Sequence, residues 1–174
     1  MSKTMAKQKL NLISALRVLV YAAALLCVVV QAVTGFVPVL KGEHISGYPV
    51  MIHATFAPVL SVCLAVLAVL WAGRCRFTAG DWPWFERLVR RVTAADGPGA
   101  QPTCRCSGLT QKVTFWLIVF LAVPLILSII LSMFPIVGTH GQKYLLGLHR
   151  NTAIVFVLVA IVHTFVLVLS RSKK

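Results

Sequence analysis

Acidic residues are almost missing from this chain of 174 residues: Glu43, Asp81, Glu86 and Asp96 are the whole set. Charge of either sign is scarce, at 12% of residues, about half of the ~25% that a soluble domain carries. The apolar stretches contain no acid, which argues against a carboxylate proton relay or a di-iron site. The 17 Lys and Arg leave a net charge of +13. A basic nucleic-acid binder is nonetheless excluded, because the apolar residues come in long unbroken blocks. Internal repeats are lacking too.

What the chain has in abundance is hydrophobic residues, 59% of the total. A membrane-crossing helix needs about 20 mostly apolar residues. No Lys, Arg, Asp or Glu interrupts Val18 to Leu40, Ile45 to Gly73, Val113 to Gln142 or Asn151 to Ser170. These runs predict an all-α, integral membrane four-helix bundle, a single domain over 1–174, with spans near 14–38, 49–71, 113–134 and 145–169. Pro58 and Pro124 fall inside spans, where neighbouring helices can satisfy the freed backbone groups. The first run is too long for a cleavable signal peptide and has no clear small-residue cleavage site.

Cations orient such a bundle. Lys3, Lys7, Lys9, Arg17, Arg74, Arg76, Arg87, Arg90, Arg91, Arg105, Lys112, Arg171, Lys173 and Lys174 fall on one side of a four-span chain, against Lys41, Lys143 and Arg150 on the other. Both termini and the loop 72–112 are therefore expected in the cytoplasm. Asp81-Trp-Pro-Trp-Phe-Glu86 and the arginines after it suit a short interfacial helix, a partner-docking segment or a plain topology signal. Asp96-Gly-Pro-Gly and Gln101-Pro mark turns.

Cys75, Cys104 and Cys106 are expected on the cytoplasmic side, where thiols stay reduced. Their spacing is a weak metal signature, and no Cys-x-x-Cys-His is present for covalent haem attachment. The histidines say more. His44 and His140 lie in the external loops, but His53, His149 and His163 lie inside spans. An intramembrane histidine either bonds across helices or serves a function. His53 and His149 each fall about five residues into helices of the same direction, so their rings should share one depth near the outer face. Two imidazoles on facing helices are the means by which a bundle holds an iron, and a six-coordinate haem b between them favours electron transfer. His163 follows His149 by 14 residues, roughly 21 Å deeper on the same helix face. At that inner level the other spans offer Tyr21, Leu67, Phe115 and Trp116, and no second histidine.

The second-span histidine after Gly47-Tyr-Pro, the loop aromatics at Asp81-Trp-Pro-Trp, the segment Thr110-Gln-Lys-Val-Thr-Phe-Trp116 and the pair His149 and His163 occur in one order. With the span order and loop lengths, over about residues 15–170, they resemble the cytochrome b (gamma) subunit of respiratory formate dehydrogenase and related four-helix cytochromes b of bacterial oxidoreductases. The resemblance implies an outer haem b on His53 and His149 as axial iron ligands. It also implies an inner haem on His163 and a first-span residue, which counting back from Thr34-Gly35 makes Tyr21, where the family has histidine. It further places a quinone near His163, Gln111 and Lys112, with Arg17 and Tyr21 as neighbours. Arg150 would pair with a haem propionate or snorkel to the surface.

The function so implied is that of a haem-containing anchor subunit in the bacterial inner membrane. It would pass electrons between an outer-side iron–sulfur or multihaem cytochrome c subunit and the quinone pool, and would not be a catalyst alone. The rivals are a quinone-linked thiol oxidoreductase and a cofactor-free anchor or assembly subunit.

Overall fold

A computed structural model describes residues 2–42, 45–78, 81, 107–134 and 138–172, with side chains described for 12–42, 45–78, 81, 109–134 and 138–170. His44, the 82–91 segment, the 96–101 turns, Cys104 and Cys106 lie outside the described residues. Four helices account for nearly all of what is described, and no strand occurs among those residues. They are α1 (Ser2–Leu40), α2 (Gly47–Ala72), α3 (Ser107–Met133) and α4 (Gly138–Ser172). All four are long and apolar enough to cross a membrane.

The helices outrun the predicted spans at their N-termini. α1 starts at Ser2 rather than 14, α3 at Ser107 rather than 113, and α4 at Gly138 rather than 145. Hydropathy marks only what must lie in hydrocarbon. The backbone ladder continues wherever the flanking residues tolerate it, and the lysine-rich start of α1 is made of good helix formers. With 39 residues, α1 is roughly 58 Å long at 1.5 Å per residue, against a hydrocarbon core of about 30 Å. Its C-terminus is set by Gly42, which takes φ +73°. That left-handed conformation is cheap only for glycine. It lets the Lys41 and Gly42 amides close the last turn onto the Val37, Pro38 and Val39 carbonyls.

Packing divides the bundle into two antiparallel hairpins, α1 with α2 and α3 with α4, while α2 and α3 touch only lightly. In the first hairpin Ala24 and Cys27 of α1 bury against Leu60 and Leu67 of α2, with Val28, Phe56, Cys63 and Leu64 around them. Small residues at such a seam let two helices approach closely, which is how helices associate where lipid removes the usual hydrophobic drive. The second hairpin buries Phe115, Ala122 and Phe156 together with Thr114, Ser128, Thr152 and His163. The outward faces are apolar: Leu19, Val69 and Phe120 are each more than two-thirds exposed, as residues facing lipid should be. The light contact between hairpins leaves an interior seam, and the intramembrane histidines line up along it.

Candidate functional site

His53 of α2 and His149 of α4 meet across this seam. Their ring centroids stand 6.4 Å apart, with the ring planes at 72°. Two imidazoles bound end-on to one metal at about 2 Å per bond have ring centres about 6 Å apart. The spacing therefore suits two imidazoles that would share one metal.

Hydrogen-bond accounting also fixes which nitrogen each ring offers. The Thr34 hydroxyl gives its single hydrogen to the Val30 carbonyl at 2.7 Å. Its oxygen, 3.0 Å from His53 Nδ1, must then accept, so Nδ1 carries the proton. His149 Nδ1 lies 2.9 Å from the Leu125 carbonyl, which can only accept; the Ser128 hydroxyl is 3.3 Å away. An imidazole whose Nδ1 carries the proton and donates keeps its lone pair on Nε2. An Nδ1–H held by a carbonyl or hydroxyl is the usual support for a metal-bound imidazole, since it sets ring orientation and strengthens the donor.

The His53 ring also lies directly on α1. A Cβ at Gly35 would stand 3.2 Å from His53 Cε1 and 3.6 Å from Nδ1, so this glycine is the clearance for the ring. One turn earlier, Gln31 Oε1 is buried without a partner. Spacing, tautomer and clearance together make this end of the seam fit an iron held by two histidines.

Fourteen residues on, His163 is 2% exposed. The Thr114 hydroxyl lies 2.8 Å from the Thr110 carbonyl and is hydrogen-bonded to His163 Nδ1 at 2.7 Å. Around His163 the structure gathers Trp71, centroid 5.9 Å away, and Tyr21 at 6.4 Å. Tyr21 stacks on Trp71 at 5.6 Å and 21°, and Phe115 lies 6.0 Å from Trp71.

At this end the first-span residue expected opposite His163, Tyr21, is bonded to α4. The Thr164 hydroxyl lies 2.8 Å from the Ala160 carbonyl and 2.9 Å from the Tyr21 hydroxyl. The Tyr21 hydroxyl is thereby engaged with α4. Trp71 and Tyr21, stacked together, are the rings that face His163. A cavity of about 60 Å³ remains beside them, lined from all four helices and reaching Val28 and Phe156, midway to His53 and His149.

The other residues expected near His163 are partly elsewhere. Lys112 is engaged with Asp81 at 2.8 Å, and Thr78 binds the same carboxylate through its amide at 2.7 Å and its hydroxyl at 3.0 Å. The Asp81 carboxyl is held below the ordinary carboxylate range, first by the Lys112 bond and then by Thr78. Gln111 sits one turn before Phe115, and its carbonyl is a second, longer acceptor for Thr114 at 3.3 Å. Arg17 donates to the Leu70 carbonyl at 3.3 Å near the C-terminus of α2, and its Nε is buried without a partner. Arg150 is exposed.

Cys27, Cys63 and Cys75 are free thiols. Cys75 is buried, with its carbonyl accepting from Trp116 Nε1 at 2.9 Å. Burial pushes its thiol up from the ordinary value, against an opposing pull from Lys112. No cluster of three or more metal-ligating side chains occurs among the described residues.

Sequence reasoning missed the residues that orient the rings: Thr34, Thr114, Leu125 and Ser128. A hydroxyl inside an apolar run is a signal of a kind, but such residues also bond back to their own helix, as Thr55 and Ser61 do here. It also placed Leu67 at the level of His163, where the structure adds Trp71, one turn further along α2. Comparison with protein-family models, with curated proteins and with solved structures finds nothing that matches this chain.

Proposed function

We propose that this chain is a haem b-binding membrane subunit of a respiratory redox complex, linking an outer-side partner to the quinone pool of a bacterial inner membrane. The single observation that supports it most is the His53–His149 pair: two rings from different hairpins, 6.4 Å apart, each with Nδ1 bonded to a neighbouring helix. Bound there, haem b would supply a one-electron carrier with both axial positions taken and none open for oxygen. The chain's own contribution is to orient both imidazoles through Thr34 and Leu125, to clear one of them with Gly35, and to surround the site with lipid-facing helices.

At the inner end, His163 serves the quinone, with Tyr21 where the resembling family has a second histidine. The iron–sulfur or multihaem cytochrome c partner would dock at the end carrying Lys41 and Lys143, which are exposed. The orientation rests on the fourteen cations assigned to the cytoplasmic side.

A pyridine haemochrome assay on the purified subunit tests the reading. It should give one haem b per chain, lost in His53→Ala and in His149→Ala. A preparation without haem b, or haem retained in both variants, sinks the proposal and leaves the cofactor-free anchor. Reporter fusions at Lys174 and in the 41–46 loop test orientation, with the C-terminal fusion expected inside the cell.

A further inference from the structure

Arg17 is the last cation before the apolar run of α1, and the structure leaves its charge poorly matched. Its Nη2 donates to the Leu70 carbonyl, in the last turn of α2, at a long 3.3 Å. A guanidinium has five N–H donors and keeps its charge at any working pH. The Arg17 Nε–H is buried without an acceptor, while the side chain as a whole stays partly exposed. Among the described residues Asp81 is the one carboxylate, and Lys112 and Thr78 occupy it. Arg74 and Arg76, both exposed, follow directly on the end of α2 at Ala72. Arg74 thus lies one helical turn beyond the carbonyl that Arg17 touches. Three arginines come together at one end of the first hairpin, with no carboxylate left for them among the described residues.

This end of the hairpin lies at headgroup level, because the apolar run of α1 begins at Val18 and α2 ends at Ala72. Helical side chains lean toward the N-terminus, so Arg17 reaches out of the hydrocarbon and not further into it. A half-buried cation without a counter-charge is costly there. The abundant acceptor at that level is a lipid phosphodiester, whose paired oxygens match the guanidinium fork. We infer that Arg17 and Arg74, with Arg76 beside them, form a site for the phosphate of an anionic membrane lipid at the α1–α2 end. The acyl chains lie against the exposed apolar side chains of the same two helices. Free phosphate shares the oxyanion chemistry but lacks the chains. The surplus of cations selects a headgroup of net negative charge over a zwitterionic one. The site needs only the membrane-spanning hairpin, and stands whether or not haem or quinone binds elsewhere.

Native mass spectrometry of the full chain tests this, with the chain released from detergent micelles doped with phosphatidylglycerol or with phosphatidylcholine. Phosphatidylglycerol should be retained in preference to phosphatidylcholine, and added inorganic phosphate should not displace it. Arg17→Leu should weaken retention about fivefold, the size expected for one cation on an anionic lipid, and Arg74→Gln by a similar factor. Arg17→Lys keeps the charge but loses the planar fork, so its retention should fall between wild type and Arg17→Leu. Circular dichroism shows which variants are folded, and Arg74→Gln and Arg17→Lys carry the test if Arg17→Leu is not. Equal retention of the two lipids, or phosphatidylglycerol retention unchanged in the folded variants, overturns the inference. Displacement by inorganic phosphate overturns the lipid as the source and makes the site one for a free anion.

Discussion

His53 and Thr34 sit 19 residues apart on the two helices of one hairpin, joined by a 3.0 Å contact between Nδ1 and a hydroxyl whose hydrogen is already used. This relationship makes α1, which offers no ligand, responsible for the tautomer of the ring on α2. Thr34→Val should remove the acceptor with little change in volume. With haem bound as proposed, an imidazole that donates through Nδ1 is a stronger donor and favours ferric iron, so loss of that bond should raise the midpoint potential, by an amount on the order of tens of mV. Redox titration of the α-band checks the sign; an unchanged or lowered potential contradicts the role given to Thr34.

Gly35 is the second contribution of α1. A methyl group there stands 3.2 Å from His53 Cε1, so Gly35→Ala should push the ring back by a few tenths of an ångström. Gly35→Leu should displace it outright. Haem content after purification should fall in that order, with affinity down by about 10- to 100-fold for the smaller change. His163→Ala, 14 residues beyond His149 on the same helix, should leave haem content intact.

Asp81 gives a prediction about pH. Its carboxyl is held below the ordinary range by Lys112 first and by the Thr78 amide second. A lowered folded-state pKa means the stabilisation is fully present above the unfolded value, about 4. It is lost as pH falls through the lower folded value. Asp81→Asn should therefore speed amide exchange at residues 73–78 near neutral pH, by at most about fivefold for so exposed a pair. Below the folded value, wild type and variant should exchange alike.

Cys75 lies on the side expected to face the cytoplasm, yet it is buried and burial pushes its thiol up. The thiolate is the reactive form, so Cys75 should label slowly with maleimide at neutral pH and react when the fold is disrupted. Mass spectrometry of the labelled peptide checks this. Rapid labelling would revive a thiol-redox role for this cysteine.

The all-α membrane fold was written in the sequence, because the length of an apolar run and the absence of acids are local properties that need no partner. The fourteen-residue spacing of His149 and His163, and the common depth of His53 and His149, follow from helix geometry in the same way. Tertiary structure decided what crosses between helices. It paired the helices into two hairpins, brought His53 and His149 to 6.4 Å, put Trp71 beside His163, and turned Lys112 to Asp81. It also decided which nitrogen of His53 and of His149 is free, since the acceptors on Thr34 and Leu125 lie 19 and 24 residues away along the chain. Periodicity can put a ring on a face at a given depth. Only the packed neighbour can assign its proton, and on that proton depends whether the ring can meet a metal, a hydroxyl or neither.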